Sequence, residues 1–219
     1  MSTPAVSATL YLDVTSSWCF WAEPAWAALR ERFAGEVAFG WKIALLDAEA
    51  VPGDRAAMEW FYRRSGTITG SAFMLNSAWF EPGALPYLVP NLLAEAGKDL
   101  GIGDDRLRLA LSHAALRDGR RILQWDEALG VCSALAEPAT LRAKAESPEI
   151  HARIEAATAE WRALGVTQRP TFVFESVIGD RTVLSGTWRL EPLAAAVESM
   201  LADARGYANY AAHHGGGPG

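Results

Sequence analysis

The sequence predicts an α/β protein in which a large helical segment lies between two parts that contain β-strands. Three observations indicate this class. Residues 8–46 follow a strand, helix, strand pattern, residues 147–204 contain a strand pair followed by a final helix, and the intervening 47–146 is mainly helical in pattern. With 219 residues, 50% of them hydrophobic, the chain can bury a core as one domain that carries an insertion.

The first part begins with a strand that leads into an aromatic helix. Residues 8–14 alternate apolar and polar side chains, which predicts a strand. A helix over 18–33 follows Ser16 and Ser17, whose hydroxyls can accept hydrogen bonds from the free N–H groups of the first turn. The apolar stretch 37–46 predicts a second strand. Because the helix is joined to both strands by short connections, the two strands should be parallel.

The middle of the chain is predicted to be helical. A break at 52–54 precedes a short helix that carries Trp60 and Phe61, and 65–86 is less regular because glycine and proline interrupt it. Three further helices are expected over 87–100, 104–117 and 126–136. A helix over 148–164 then leads out of the segment, with Ser147 as its cap.

The last part predicts an antiparallel strand pair and a final helix. Residues 171–174 and 181–185 read as the two strands, joined by a turn. Pro170 stands at the head of the first of them, where it removes a ladder hydrogen-bond donor. The final helix should end near Ala204, and the glycine-rich end of the chain predicts a flexible tail over 205–219.

Charge and composition exclude several functional classes. The net charge of −6 and pI of about 5.3 argue against a nucleic-acid-binding surface, and no basic tract favours an anionic membrane. The first residues lack the features of a signal peptide, and no apolar run reaches membrane-spanning length. We therefore expect a cytoplasmic protein.

The few cysteines and histidines predict no metal site. Cys19 and Cys132 lie far apart in the sequence, and in a reducing compartment both should be free thiols, with Cys132 a core residue. No second pair of ligands stands at the spacing that zinc requires. His213 and His214 lie in the predicted tail and are expected to be disordered rather than ligands.

Residues 16–19 form an S-x-x-C motif at the start of the first helix, and Pro24 follows five residues after Cys19. This stretch resembles the active-site segment of the thioredoxin superfamily, and more closely its DsbA-like branch, which has C-x-x-C and a kinking proline at that spacing. The serine at the first position is similar to that of kappa-class glutathione transferases and 2-hydroxychromene-2-carboxylate isomerases. In those enzymes the serine holds the thiolate of bound glutathione.

Two further segments support this resemblance. The superfamily places a cis-proline at the head of a strand facing the motif, where this chain has Arg169–Pro170. Residues 114–122 are similar to a segment of the helical insertion that many DsbA-like proteins share. The resemblance implies a thioredoxin-like fold built from 8–46 and 147–204, with 47–146 as its large helical insertion.

The resemblance also implies a site at the start of the first helix. Ser16 and Cys19 would be its catalytic residues, because a hydroxyl can donate to a thiolate and the positive end of a helix favours the thiolate form. Ser17 and Trp18 would contact substrate, with Trp18 lining the mouth of the cleft. No tightly bound cofactor is expected. The compound bound at the site would be glutathione or another low-molecular-weight thiol.

Arg169, Pro170 and Thr187 complete the implied substrate-binding set. Arg169 and Pro170 would form a backbone clamp, and the Arg169 side chain either attracts a substrate carboxylate or has no specific role. Thr187 keeps the hydroxyl that kappa-class transferases present to the γ-glutamyl end of glutathione. Trp188 stands where those enzymes have an aspartate, so the acidic partner of the α-amino group is missing.

Three hypotheses for function follow. The first is a thiol-dependent oxidoreductase or transferase that acts on an external thiol, with Ser16 orienting the sulfur and Cys19 beside it. The second is a monothiol oxidoreductase that forms mixed disulfides through Cys19. The third is a non-catalytic module that binds a peptide or protein by strand addition at the Arg169 backbone, before Pro170. Partners would be a small thiol or disulfide, or a peptide, and a homodimer stays open.

Overall fold

A four-stranded mixed sheet forms the centre of the protein in a computed structural model, which describes residues 4–214. The strand order is β2-β1-β3-β4; β1 and β2 are parallel, and β3 is antiparallel to both β1 and β4. The strands are β1 Val6–Leu12, β2 Val37–Ile43, β3 Thr171–Ser176 and β4 Arg181–Ser185. Tyr11 pairs with Thr171, so the end of β1 lies beside the start of β3.

One face of the sheet is covered by the first and the last helix. These are α1, Ser17–Arg32, which contains Pro24, and α8, Leu190–His214. Trp26 of α1 packs against Phe172 of β3 with ring centroids 5.9 Å apart, and both side chains are buried. The burial of these large aromatic side chains helps to hold α1 on the sheet.

The opposite face is covered by α7, Pro148–Ala163. Tyr11, Val173 and Trp161 form a smaller apolar cluster there, because alternate side chains of each strand point to opposite faces. The Trp161 indole also donates a hydrogen bond to the Thr171 hydroxyl at 3.0 Å. This contact fixes the end of α7 next to the first residue of β3.

The insertion is helical, as predicted, but the structure corrects its details. Its elements are a 3₁₀ turn at Ala48–Ala50, α2 Arg55–Thr69, α3 Leu88–Asp99, α4 Arg106–Leu116, α5 Trp125–Cys132 and α6 Pro138–Ala145. Helix α2 continues to Thr69, into the stretch predicted to be irregular, and ends at Gly70, which adopts a left-handed conformation with φ 66°. Helix α6 was not predicted; the Glu137 carboxylate caps it by accepting from two backbone N–H groups.

Buried charges join the insertion to the sheet domain. Arg108 of α4 donates to the Glu23 carboxylate of α1 at 3.0 Å, and only 2% of the Arg108 side chain is exposed. Lys98 of α3 donates to the Trp41 carbonyl of β2 at 2.9 Å, and its ammonium lies 3.6 Å from the centre of the Trp41 ring. Arg108 also pairs with Asp105 at 2.8 Å and Lys98 with Glu95 at 2.7 Å, so each charge is held by several partners, and the contacts to Glu23 and Trp41 join the insertion to the sheet domain.

The end of the chain differs from the predicted flexible tail. Helix α8 passes the expected end near Ala204 and continues to His214, and residues 205–214 are exposed helix. Alanine, the strongest helix former, recurs through this stretch, which explains the continuation. The rest of the predicted tail, 215–219, lies outside the described residues. None of the helices in 4–214 has the length and apolar character that a membrane span requires.

Candidate functional site

A cavity of about 550 Å³ opens where β1 leads into α1. Residues 15–18 line it at the start of α1, and residues 166–169 line it just before β3. The loop after β2, part of α2, Trp79, Tyr87 and the end of α7 complete the wall. The two motifs that the sequence singled out, 16–19 and Arg169–Pro170, therefore meet at one end of the sheet, and the insertion covers the cavity between them.

Ser16 stands on the cavity wall as the N-cap of α1. Its amide donates to the Asp13 carbonyl at 3.0 Å, and its hydroxyl oxygen accepts from the Cys19 amide at 3.4 Å. Ser16 is only 7% exposed, yet it lines the cavity. The first turn of α1 carries no acidic side chain, so no carboxylate within the helix opposes its positive end.

Cys19 lies behind Ser16 in the apolar core. It is 4% exposed, belongs to the main hydrophobic cluster and is absent from the cavity wall. Burial raises the pKa of its thiol to about 12, and the opposing hydrogen bond from Ser16 is the weaker effect. The prediction that the helix end favours a Cys19 thiolate is therefore wrong, because desolvation outweighs the helix field.

Sequence reasoning missed a buried carboxylate below the motif. Asp13 is fully buried and accepts four hydrogen bonds: from the Thr15 amide at 2.8 Å, the Thr15 hydroxyl at 2.7 Å, the Leu46 amide at 3.0 Å and the Asn91 side-chain amide at 3.0 Å. Burial raises its pKa, which these donors partly oppose. Asp13 thus joins the β1–α1 turn, the end of β2 and helix α3.

Asn91 extends this network to the far wall of the cavity. Its side-chain oxygen accepts from the Val14 amide at 3.0 Å, and its side-chain nitrogen also donates to the Tyr87 carbonyl at 2.8 Å. A buried asparagine within the apolar run of α3 was the sequence signal for this role. Its partners could not be read from the sequence because they lie far away along the chain.

Arg169 occupies the site but has a different role from the one expected. It is 5% exposed; its guanidinium donates to the Ala44 carbonyl at 2.7 Å and to the Leu45 carbonyl, and lies 3.8 Å from the centre of the Trp161 ring. Through these contacts the guanidinium holds the segment that follows β2. Arg169 is therefore neither an exposed loop arginine nor a free partner for a substrate carboxylate.

The other predicted site residues lie at different depths. Ser17, which is buried, and Trp18, which is half-buried, line the cavity. The Arg169–Pro170 peptide bond is cis, and Pro170 is buried behind the cavity wall. Thr187 is half-buried in the turn after β4 and does not line the cavity; the turn reaches Pro170 through the Gly186 amide, which donates to the Pro170 carbonyl at 2.8 Å.

The remaining wall contains charged residues of both signs, which the sequence did not identify. Arg64 and Arg162 are exposed arginines on the cavity wall, and Asp47 and Glu49 lie on the loop after β2. Within residues 4–214, no three His, Cys, Asp or Glu side chains are arranged to hold a metal ion. The cavity therefore offers hydroxyl, cationic and anionic groups to a small polar ligand.

Comparisons with solved structures identify the fold. A protein from Nitrosomonas europaea, proposed to be a protein disulfide isomerase, matches with a TM-score of 0.73 and 17% identity over 90% of this chain and 98% of its own. The cytosolic disulfide reductase DsbM from Pseudomonas aeruginosa matches with a TM-score of 0.69 and 20% identity over 90% and 98%, and a structure of DsbM with GSH also matches. Pseudomonas aeruginosa DsbA has a TM-score of 0.62 at 14% identity over 95% and 89%.

These matches confirm the predicted fold class, a DsbA-like thioredoxin fold with a helical insertion. No model of a known protein family matches the sequence, and no curated protein matches it. Identities of 20% or less establish architecture, whereas chemistry depends on the side chains present in the site.

Proposed function

We propose that this chain, with its DsbA-like thioredoxin fold, is a thiol-dependent enzyme that binds an external low-molecular-weight thiol such as glutathione. Ser16 donates its hydroxyl hydrogen to the sulfur of the bound thiol and favours the thiolate form. The thiolate then serves as the reactive sulfur in transfer or redox chemistry. The proposal includes a cytoplasmic setting, in line with the cytosolic description of DsbM.

One observation carries this proposal: the cavity wall presents the hydroxyl of Ser16, while the sulfur of Cys19 is buried behind it. A thiolate is the reactive form of sulfur, and the Cys19 thiol, with a pKa of about 12, stays protonated at neutral pH. A reactive sulfur must therefore arrive with the ligand. The positive end of α1 and the Ser16 hydroxyl both favour negative charge at that point.

The remaining wall fits a thiol compound that carries charges of both signs. Glutathione has two carboxylates and one ammonium group. Arg64 and Arg162 can pair with the carboxylates, and Asp47 or Glu49 can pair with the ammonium, which would replace the acidic partner missing at Trp188. The cavity volume of about 550 Å³ lies in the range of small-molecule sites. The match to a DsbM structure with GSH supports the same ligand class.

Calorimetric titration with glutathione tests the proposal. The protein should bind, and Ser16→Ala should bind about tenfold more weakly or worse because a charge-assisted hydrogen bond is lost. Ser16→Thr keeps a hydroxyl and should retain affinity, and Ser133→Ala, an exposed serine outside the cavity, should change nothing. Absence of binding at millimolar glutathione would reject the proposal.

The monothiol alternative has its own test. After treatment of the folded protein with oxidised glutathione, mass spectrometry should find Cys19 unmodified, because the thiol is buried and protonated. A glutathione adduct on Cys19 in folded protein would favour the monothiol mechanism instead.

A further inference from the structure

Tyr87, a residue of the cavity wall, carries a buried hydroxyl that has no hydrogen-bond partner. Among residues 4–214, three buried side-chain polar atoms have no hydrogen-bond partner: the indole nitrogens of Trp26 and Trp41 and the hydroxyl oxygen of Tyr87. Of these three residues, only Tyr87 lines the cavity that contains Ser16. Buried polar groups are paired in nearly all cases, so an unpaired one beside a cavity requires a reason.

The ring of Tyr87 is held firmly in place. It meets Trp79 edge to face, with ring centroids 5.3 Å apart and an interplanar angle of 82°. Its carbonyl accepts from Asn91, whose side chain also contacts Val14 in the β1–α1 turn. The same network that shapes the Ser16 turn therefore positions Tyr87, and both residues line one cavity.

The hydroxyl of a neighbouring tyrosine on the same wall, in contrast, has a hydrogen-bond partner. The hydroxyl oxygen of Tyr62, which also lines the cavity, accepts from the Trp79 indole at 3.0 Å. Tyr87 is 2% exposed, and burial raises its pKa to about 12, so its O–H remains a donor at neutral pH. A buried donor without a partner costs stability in the free protein, and a ligand acceptor would remove that cost.

We propose that Tyr87 is a ligand-binding residue, whose phenol O–H donates a hydrogen bond to an acceptor atom of the small thiol bound beside Ser16. The acceptor is either the thiolate sulfur or a carboxylate or carbonyl oxygen of the same compound, since both are strong acceptors for a phenol. This inference rests on the proposed function and adds a residue to its site. It assigns Tyr87 to ligand binding, and Ser16 keeps its proposed role as a donor to the sulfur.

The test is Tyr87→Phe, which keeps the ring and removes only the hydroxyl. Tyr207→Phe is the matched control, because Tyr207 is an exposed phenol on α8 outside the cavity. Urea unfolding without ligand should show Tyr87→Phe at least as stable as the unmodified protein, since an unpaired polar atom has been removed. Calorimetry should show about tenfold weaker glutathione binding for Tyr87→Phe alone, equivalent to about 1.4 kcal/mol.

S-methylglutathione identifies the acceptor. If the Phe variant binds S-methylglutathione as well as the unmodified protein does, the acceptor is the thiolate sulfur; if it is again weaker, the acceptor is an oxygen. Equal glutathione affinity in Tyr87→Phe and the unmodified protein would overturn this inference while leaving the Ser16 proposal intact. A marked loss of stability without ligand would also overturn it, because the hydroxyl would then have a partner in the free protein. Failure of the unmodified protein to bind glutathione would reject both proposals.

Discussion

The backbone amide of Cys19 donates to the hydroxyl oxygen of Ser16 at 3.4 Å, yet the side chains of the two residues lie in different environments. Ser16 lines a cavity, and the Cys19 sulfur is packed into the core. In a C-x-x-C protein the first position would carry a sulfur on the cavity side. Here that position carries only oxygen, and the proposed function therefore takes the reactive sulfur from the bound ligand.

Restoring the missing sulfur should create a redox-active pair. We expect Ser16→Cys to form an intramolecular disulfide with Cys19 under mild oxidation, because the frame at the start of α1 then matches C-x-x-C. Thiol titration in denaturant and mass spectrometry would measure this. Ser17→Cys is the matched control and should form no such bond, since cysteines two residues apart in a helix do not face each other. Two free thiols at this motif after oxidation of Ser16→Cys would contradict the prediction.

Alkaline pH should destabilise the fold through the buried thiols. The pKa of Cys19 is raised from 9.0 to about 12, so between these values the unfolded chain loses a proton that the folded protein keeps. The free energy of unfolding must then fall as pH rises from about 9 to about 12. Burial also raises the pKa of Cys132 to about 12, so this thiol should lower the free energy of unfolding over the same pH range. Denaturant unfolding across this range should give a shallower decline for Cys19→Ala; an identical decline would contradict this reasoning.

Loss of the Asp13 carboxylate should destabilise the whole site. In Asp13→Asn, one accepting oxygen becomes an amide donor that faces donors such as the Leu46 amide or the Asn91 side chain. We expect a loss of about 2–4 kcal/mol in unfolding free energy, typical of a disrupted buried network. Urea denaturation measures it, with Asp203→Asn as the exposed control. An unchanged midpoint for Asp13→Asn would show that the network contributes little.

Two of the arginines at the cavity, Arg169 and Arg162, should separate stability from binding. Arg169→Lys cannot bridge the Ala44 and Leu45 carbonyls while covering Trp161, so it should lower stability by about 1–3 kcal/mol. Arg162→Gln changes an exposed side chain and should keep stability but weaken glutathione binding several-fold. Urea unfolding measures the stability of both variants, and calorimetry measures their affinity for glutathione. A reversed pattern, with Arg169→Lys affecting only binding, would contradict the assignment.

The architecture was largely predictable because it depends on local patterns. The alternating residues of β1 and the serine cap of α1 follow from short-range physical rules, whereas Pro170 at the head of β3 was accounted for only by the resemblance to the thioredoxin superfamily. The length of α8 differs from the prediction because two local signals conflict. Gly206 and the glycines at the end of the chain indicate a helix stop, whereas the alanines after Gly206 favour continuation of the helix.

The site was predictable only in part, because burial and long-range pairing are not local properties. Ser16, which the motif and the resemblance single out, lines the cavity. The protonated state of Cys19 and the structural role of Arg169 depend on how deeply each is buried, which the spacing of residues does not reveal. Asp13 and Asn91 contact each other across 78 residues of sequence, so only the fold could unite them.

The pKa of the thiol in bound glutathione tests the central claim most directly. Ultraviolet absorbance of the thiolate, followed against pH at saturating protein, gives this pKa. The account predicts a value about one unit or more below that of free glutathione, because Ser16 and the start of α1 both stabilise the negative charge. In Ser16→Ala the pKa should rise toward the free value. A bound thiol whose pKa equals that of free glutathione, or does not change in Ser16→Ala, would contradict the role of Ser16.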